Sequence, residues 1–272
     1  MTTPRTYLFV PGNRPERFAK ALSSGADAVV LDLEDAVAAE AKSAARDAIA
    51  AWAASASATE RQRAVVRIND ATAPGFADDL RLLRQVGLAD VMLAKAESAA
   101  QIAAVIAALP GARLLALIES ARGVANVEAV AASAGVQRLV FGTLDLALDL
   151  DLDISALSDG LSYAASRLAI ASRSAGLAAP VAGVTPQIDD EARLLADLAW
   201  SRRHGLGAKL CIHPKQIAPV HAALAPNAQA LDWARRVLAA EAASPGVARL
   251  DGRMIDRPVV LLAQRTLLQA QR

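Results

Sequence analysis

Residues 113–149 read RLLALIESARGVANVEAVAASAGVQRLVFGTLDLALD. The stretch holds two apolar runs, each followed closely by a carboxylate. Residues 114–118 run into Glu119, and residues 139–141 lead through Gly142, Thr143 and Leu144 to Asp145. Between them Ala and Val recur at helical spacing. The pattern is strand, helix, strand, with an acid just past the carboxyl end of each strand. Two carboxylates at one rim of a sheet can share a hard divalent cation, which prefers oxygen ligands. The same residues also read as solvated loop acids or as charges at helix N-termini.

Outward from this unit the alternation continues. Apolar runs at 6–10, 28–31, 64–68 and 91–94 precede it, and runs at 181–184 and 208–212 follow it. Helical patterns separate them: one opened by Pro15, then 42–52, 76–86, 99–109, 157–175 and 189–204. Ser98 is placed to cap the fourth of these and Gly176 to close the fifth. Residues 55–63 read as a polar connection, and 149–153 as an acidic loop. Eight strands alternating with helices predict a parallel sheet. No dinucleotide glycine fingerprint follows the first strand, so a closed α/β TIM barrel, (β/α)8, is expected rather than an open doubly wound sheet. Residues 1–216 form that catalytic domain in this reading. Residues 217–272 form a C-terminal helical extension that covers the active site or reaches a neighbouring subunit.

Composition narrows the class. The 272 residues are 54% apolar but only 3% aromatic, so the core is built from Ala, Val, Leu and Ile. That suits strands covered on both faces. A formal net charge of +1 points to neither nucleic acid nor membrane. The single Cys, Cys211, excludes an intramolecular disulfide framework and fits a reducing compartment. The first residues, MTTPRTYLFVPG, lack the apolar core of a signal peptide. The most apolar stretch, 99–118, is broken by Pro110, Gly111 and Arg113 and does not read as a membrane span. A cytoplasmic protein is expected.

Arg14, Asp32, Glu34, Asp35, Arg67, Asn69, Lys95, Glu97, Glu119, Asp145 and His213 all fall at or just past strand C-termini. In a barrel that rim is the active-site face. Arg67 offers a planar fork for a carboxylate, or an ion pair with Asp32 or Asp35. Lys95 and Glu97 are adjacent in register and can pair with each other. Arg14, Arg17 and Lys20 stand at helical spacing beside a helix start, which reads as an anion site or as a solvated basic face. His213 and Cys211 read as structural.

At these residues the chain resembles the citrate lyase beta subunit family, within the HpcH/HpaI aldolase/citrate lyase superfamily. The matching segments are LFVPGNRPERFAKAL, ADAVVLDLEDAV, VVRIN, VMLAKAES, LIESARGVAN, FGTLDLALDL, GAKLCIHPKQI and DGRMIDRPVV, in family order over nearly the whole chain. The resemblance implies a Mg²⁺-dependent (or Mn²⁺-dependent) carbon–carbon lyase. It would cleave a 3-hydroxyacyl thioester of coenzyme A, citryl-CoA or citramalyl-CoA, to acetyl-CoA and a 2-oxo acid. It makes Glu119 and Asp145 the metal ligands. Arg67 would take the oxo-acid carboxylate, Glu34, Asp35 and Lys95 would support it, and residues 13–20, with Asn13, Arg14, Arg17 and Lys20, would lie along coenzyme A. Asp256, in GRMID, matches an acid that relatives insert into a neighbouring subunit's site, which implies a homotrimer or hexamer. Malyl-CoA lyase or thioesterase chemistry, and a carrier-dependent subunit served by an acyl carrier protein, are the alternatives. Two departures stand out: Ala94 replaces a usual Pro, and VAGVTPQIDD around strand seven is atypical. The absence of a His after strand two argues against the HpaI-type aldolases.

Overall fold

The computed structural model describes residues 3–154, 159–244, 246 and 248–270. Residues 3–220 and 221–270 form two compact units.

The larger unit is the barrel. Its chain runs β1 (Thr6–Pro11), α1 (Phe18–Leu22), β2 (Ala28–Asp32), α2 (Lys42–Ser55), α3 (Ala58–Arg63), β3 (Ala64–Ile68), α4 (Phe76–Val86), β4 (Asp90–Leu93) and α5 (Ala99–Ala108). It continues with β5 (Arg113–Ile118), α6 (Ala121–Ala125), α7 (Val127–Ala131), β6 (Val136–Phe141), α8 (Thr143–Asp149), α9 (Ser162–Ser174), β7 (Val181–Ala182), α10 (Glu191–Arg203) and β8 (Ala208–Cys211). The eight strands are parallel and in sequence order, and β8 pairs with β1 to close the barrel. Tyr7, Val30, Val65, Met92, Leu115, Leu117, Val140 and Leu210 fill the inside. Side chains alternate along a strand, so residues two positions further on also face inward. Phe9, Asp32, Arg67 and Glu119 are those residues, one step nearer the carboxyl rim.

Several local outcomes differ from the sequence reading. The connection at 55–63 contains a helix, α3, held by a capping box: Ser57 Oγ accepts from Glu60 N at 3.3 Å, and Glu60 Oε2 accepts from Ser57 N at 2.8 Å. The Ser-x-x-Glu spacing carries that signal in the sequence. Strand six starts at Val136, three residues earlier than its apolar run, because buried Arg138 extends it. Arg138 Nε donates to the Ala179 carbonyl and NH1 to the Pro4 carbonyl, both at 2.6 Å. The helix expected between strands five and six is two short ones, parted at Asn126, whose Nδ2 donates to the Glu97 carbonyl at 2.9 Å. The first residues of the helix expected at 157–175 lie outside the described residues, and α9 forms the rest. Ser98 caps α5 as its position predicts, its Oγ accepting from Gln101 N.

After β8 come α11 (Ile217–Leu224), α12 (Ala228–Ala243), the hairpin β9 (Arg249–Leu250) and β10 (Arg253–Met254), and α13 (Arg257–Gln269). The smaller unit has its own core of Ala234, Val237, Ala248, Ile255 and Ala263. Among the described residues no helix is long and apolar enough to cross a membrane.

Candidate active site

The rim of the barrel gathers five acids, Asp32, Glu34, Asp35, Glu119 and Asp145, around two bases, Arg67 and Lys95. Arg67 is the penultimate residue of β3 and is 8% exposed. Its Nε and NH2 donate to the two oxygens of Asp32, both at 2.6 Å, in the two-point geometry of a guanidinium on a carboxylate. Its NH1 stands 3.0 Å from Glu34 Oε2 and 3.7 Å from Asp35 Oδ2. The guanidinium lies over the Phe9 ring, 4.9 Å from its centre. Burial alone would weaken its charge, but Asp32 and Glu34 outweigh that and hold Arg67 firmly protonated. Asp32 is fully buried and also accepts the backbone N–H groups of Glu34 and Ala36, at 2.9 and 3.1 Å. Arg67 is thus paired mainly with Asp32 and Glu34 rather than Asp35.

Lys95 bonds Glu34 Oε1 through its Nζ. Its backbone N–H donates to Glu119 Oε1 at 2.8 Å. To do both, Lys95 takes a left-handed backbone, φ 47°, a costly conformation outside glycine. The expected pairing of Lys95 with Glu97 does not form. Glu97 instead accepts from Ser120 Oγ at 2.7 Å and lies 3.8 Å from Arg122 NH1. The strand ends at Leu93, so the two residues leave the alternating register that would have aligned them.

Glu119 follows β5, and Asp145 lies in the first turn of α8, which follows β6. Gly142 makes room between them: a Cβ there would come 2.4 Å from Glu119 Cβ and 2.6 Å from its Oε2. Glu119 is 3% exposed, and its carboxyl is pushed up to about 8, chiefly by burial and further by the charges of Asp145 and Glu34. A buried acid raised by its acidic neighbours is a donor set short of positive charge, which a divalent cation supplies. Glu119 and Asp145 therefore fit a magnesium-type ion, which takes one or two carboxylates and completes its shell with water and substrate oxygens. Among the described residues no three His, Cys, Asp or Glu side chains group as a metal site, so a closed protein cage is absent there.

Phe9, Asp35, Arg67, Glu119 and Asp145 all line one cavity of about 330 Å³. A second hollow, about 570 Å³, runs beside it past Pro11, Arg17, Lys20 and Ile212. Arg14 is tied to Glu16 at 2.6 Å and does not line that hollow. Residues 15–17 form a 3₁₀ turn and α1 has only five residues, so the cations Arg17 and Lys20, rather than a long helix N-terminus, are what this hollow presents. Asn13 Oδ1 is a buried acceptor with no donor among the described residues. His213 caps a turn, its Nδ1 accepting from Lys215 N at 3.2 Å. Cys211 is buried and pushed up to about 12, so it stays a thiol. Asp256 belongs to the smaller unit, where it caps α13 by accepting from Val259 N at 3.2 Å.

Sequence reasoning missed the roles of Phe9, Gly142 and Lys42. Phe9 and Gly142 stand at rim positions of their own strands, where a side-chain count finds nothing ionisable. Lys42 Nζ donates to the carbonyls of Leu33 and Glu34 at 3.0 and 3.1 Å and bonds Asn69 Oδ1. It is the first residue of α2, with no local motif.

Residues 5–214 match the HpcH/HpaI aldolase/citrate lyase family. The chain belongs to that family. By class, this family member is a carbon–carbon lyase. It is 36% identical to a citrate lyase subunit beta-like protein of Mycobacterium tuberculosis, over 97% of this chain and 94% of that one. It is 31% identical to a (3S)-malyl-CoA thioesterase of Cereibacter sphaeroides, over 98% and 94%. Among solved structures it resembles the protein CitE from Mycobacterium tuberculosis in complex with magnesium, acetoacetate and coenzyme A. That likeness has a TM-score of 0.89 and 35% identity, over 100% of this chain and 99% of that one.

Proposed function

We propose that this family member is a Mg²⁺-dependent lyase that cleaves citryl-CoA or citramalyl-CoA to acetyl-CoA and oxaloacetate or pyruvate. The observation that carries the reading is the facing of Glu119, Asp145 and Arg67 onto one cavity at the carboxyl rim. The solved relatives add weight: one is described with magnesium, acetoacetate and coenzyme A, another with oxaloacetate and magnesium.

In the cleavage the β-hydroxyl loses its proton and its C–O bond becomes a carbonyl. The Cα–Cβ bond breaks, and its electron pair passes to the thioester as an enolate, which is then protonated on carbon. Glu119 and Asp145 would hold the cation, which when bound supplies Lewis acidity to the oxo-acid oxygens. Arg67 keeps N–H groups beyond those given to Asp32 and Glu34, and these take the oxo-acid carboxylate. Its Asp32 pairing fixes the fork before substrate arrives, which lowers the ordering cost. Asp35, half exposed at the cavity, is placed to receive the hydroxyl proton through water. Glu34 and Lys95 hold Arg67 and Glu119 in place. The hollow past Arg17 and Lys20 takes the coenzyme A arm. Asp256 protonates the enolate of a neighbouring copy, in an oligomer that the reading takes as a homotrimer or hexamer.

Malyl-CoA thioesterase chemistry would use the same cavity without carbon–carbon cleavage: water adds to the thioester carbonyl, the C–S bond breaks, and coenzyme A leaves as the thiol. The likeness to the (3S)-malyl-CoA thioesterase supports it as the second reading. An acyl carrier protein in place of free coenzyme A is the third. The test is acetyl-CoA release from citryl-CoA, citramalyl-CoA and malyl-CoA, with Mg²⁺ and with EDTA. Mg²⁺-dependent release from one of the first two supports the lyase. Release of free coenzyme A from malyl-CoA alone supports the thioesterase, and no turnover of any free thioester moves the reading to the carrier.

A further inference from the structure

Between β7, β8 and the inner face of α10 lies a cavity of about 220 Å³ that the lyase chemistry does not use. Lys209 lines it. Ala208 and Leu210 belong to the barrel interior, so strand alternation turns Lys209 outward, into the layer between strands and helices. The side chain is 2% exposed. Its Nζ donates to the Gly183 carbonyl. Among the described residues no carboxylate lies within ion-pair distance of it.

The nearest acid is already matched. Asp197 accepts from Arg193 Nε and from Thr185 Oγ1, both at 2.7 Å. Asp197 is thus held by Arg193 and Thr185 rather than by Lys209. Burial draws the Lys209 amine down to about 8, which still leaves it mostly charged at neutral pH. A buried cation with spare N–H donors is expensive unless an acceptor joins it. The rest of the lining is largely apolar, with Leu144, Val184 and Pro186.

We propose that this cavity is a second small-molecule site, for a short-chain carboxylate, with the carboxylate on Lys209 Nζ and the chain against Leu144, Val184 and Pro186. Thr143, Leu144 and Val184 also line the cavity that holds Glu119 and Asp145. The two sites therefore share a wall, and Thr143 opens the same helix, α8, that carries Asp145.

Calorimetric titration of the full chain with butyrate, in EDTA, tests this. Butyrate has no oxo group, so it gives no chelate at the metal ligands and no imine with an amine. The expected result is one butyrate per chain, weakened at least tenfold in Lys209→Met and in Ser201→Leu, which fills the cavity from α10. Circular dichroism and a thermal melt check the fold of each variant, and if Lys209→Met does not fold, Ser201→Leu decides alone. No butyrate binding by the unaltered chain, or binding unchanged in either folded variant, overturns the proposal.

Discussion

Arg67 is the side chain on which the site depends most. Among the described residues it is the only base in direct two-point contact with a fully buried acid at the rim. Arg67→Ala would strand the Asp32 charge, and breaking a buried pair from one side costs ~3–5 kcal/mol. Urea unfolding of that variant should show a loss of this size, with activity abolished. Arg67→Lys should keep most of the fold but lose about 100-fold or more in kcat/KM, because an ammonium has no fork to share between Asp32 and a substrate carboxylate. The sequence makes Arg67 legible because it abuts an apolar run, but its partner is not. Asp32, Glu34 and Asp35 all follow strand two within four residues. Only the closed barrel, which sets Asp32 opposite Arg67 in the β2–β3 register, chooses among them. Lys209 yields a pH prediction. Its folded pKa, about 8, lies below the ordinary lysine value of 10.5, so the unfolded chain binds the extra proton between those values. Stability relative to Lys209→Met should be flat below pH 8 and should rise from pH 8 to 10.5. Denaturant midpoints across that range check it.

At the scale of elements, the turns after strands five and six carry the cation site. Gly142→Ala would drive a methyl into Glu119, since the Cβ would lie 2.4 Å from Glu119 Cβ. Mg²⁺ affinity should fall at least tenfold while the barrel stays folded, as a Mn²⁺ titration would measure. Nothing in a sequence pattern demands glycine there, because the demand comes from a side chain 23 positions earlier. Helix α8 is short, Thr143 to Asp149, so the sequence leaves Asp145 open between a loop acid and a charge at a helix N-terminus. In the structure it sits in a helix first turn, where negative charge is favoured. The capping box of α3, by contrast, is written in Ser57 and Glu60 and can be read directly. Asp256 serves two readings that a substitution separates. Asp256→Ala loses the α13 cap and should cost about 1 kcal/mol. Asp256→Ser keeps a capping oxygen and removes the acid. If Asp256 protonates the enolate, the Ser variant should unfold like the parent yet lose turnover, and its pH–rate profile should lose one limb.

For the whole molecule, the alternation of apolar runs with helical patterns was enough to state eight strands and a closed barrel. Closure follows because every strand is buried on both sides and the eighth returns to the first. The same regularity hides the side cavity by Lys209, which is lined from β8, from the residues just after β7 and from α10. Strand seven, four residues in the apolar pattern, pairs over two. The central claim is that Glu119 and Asp145 together make one divalent-cation site. Electron paramagnetic resonance of Mn²⁺ titrated into the protein counts it directly. The account predicts one Mn²⁺ per chain, displaced by Mg²⁺, with binding lost in both Glu119→Gln and Asp145→Asn while both variants stay folded. Undiminished Mn²⁺ binding in either folded variant would contradict it.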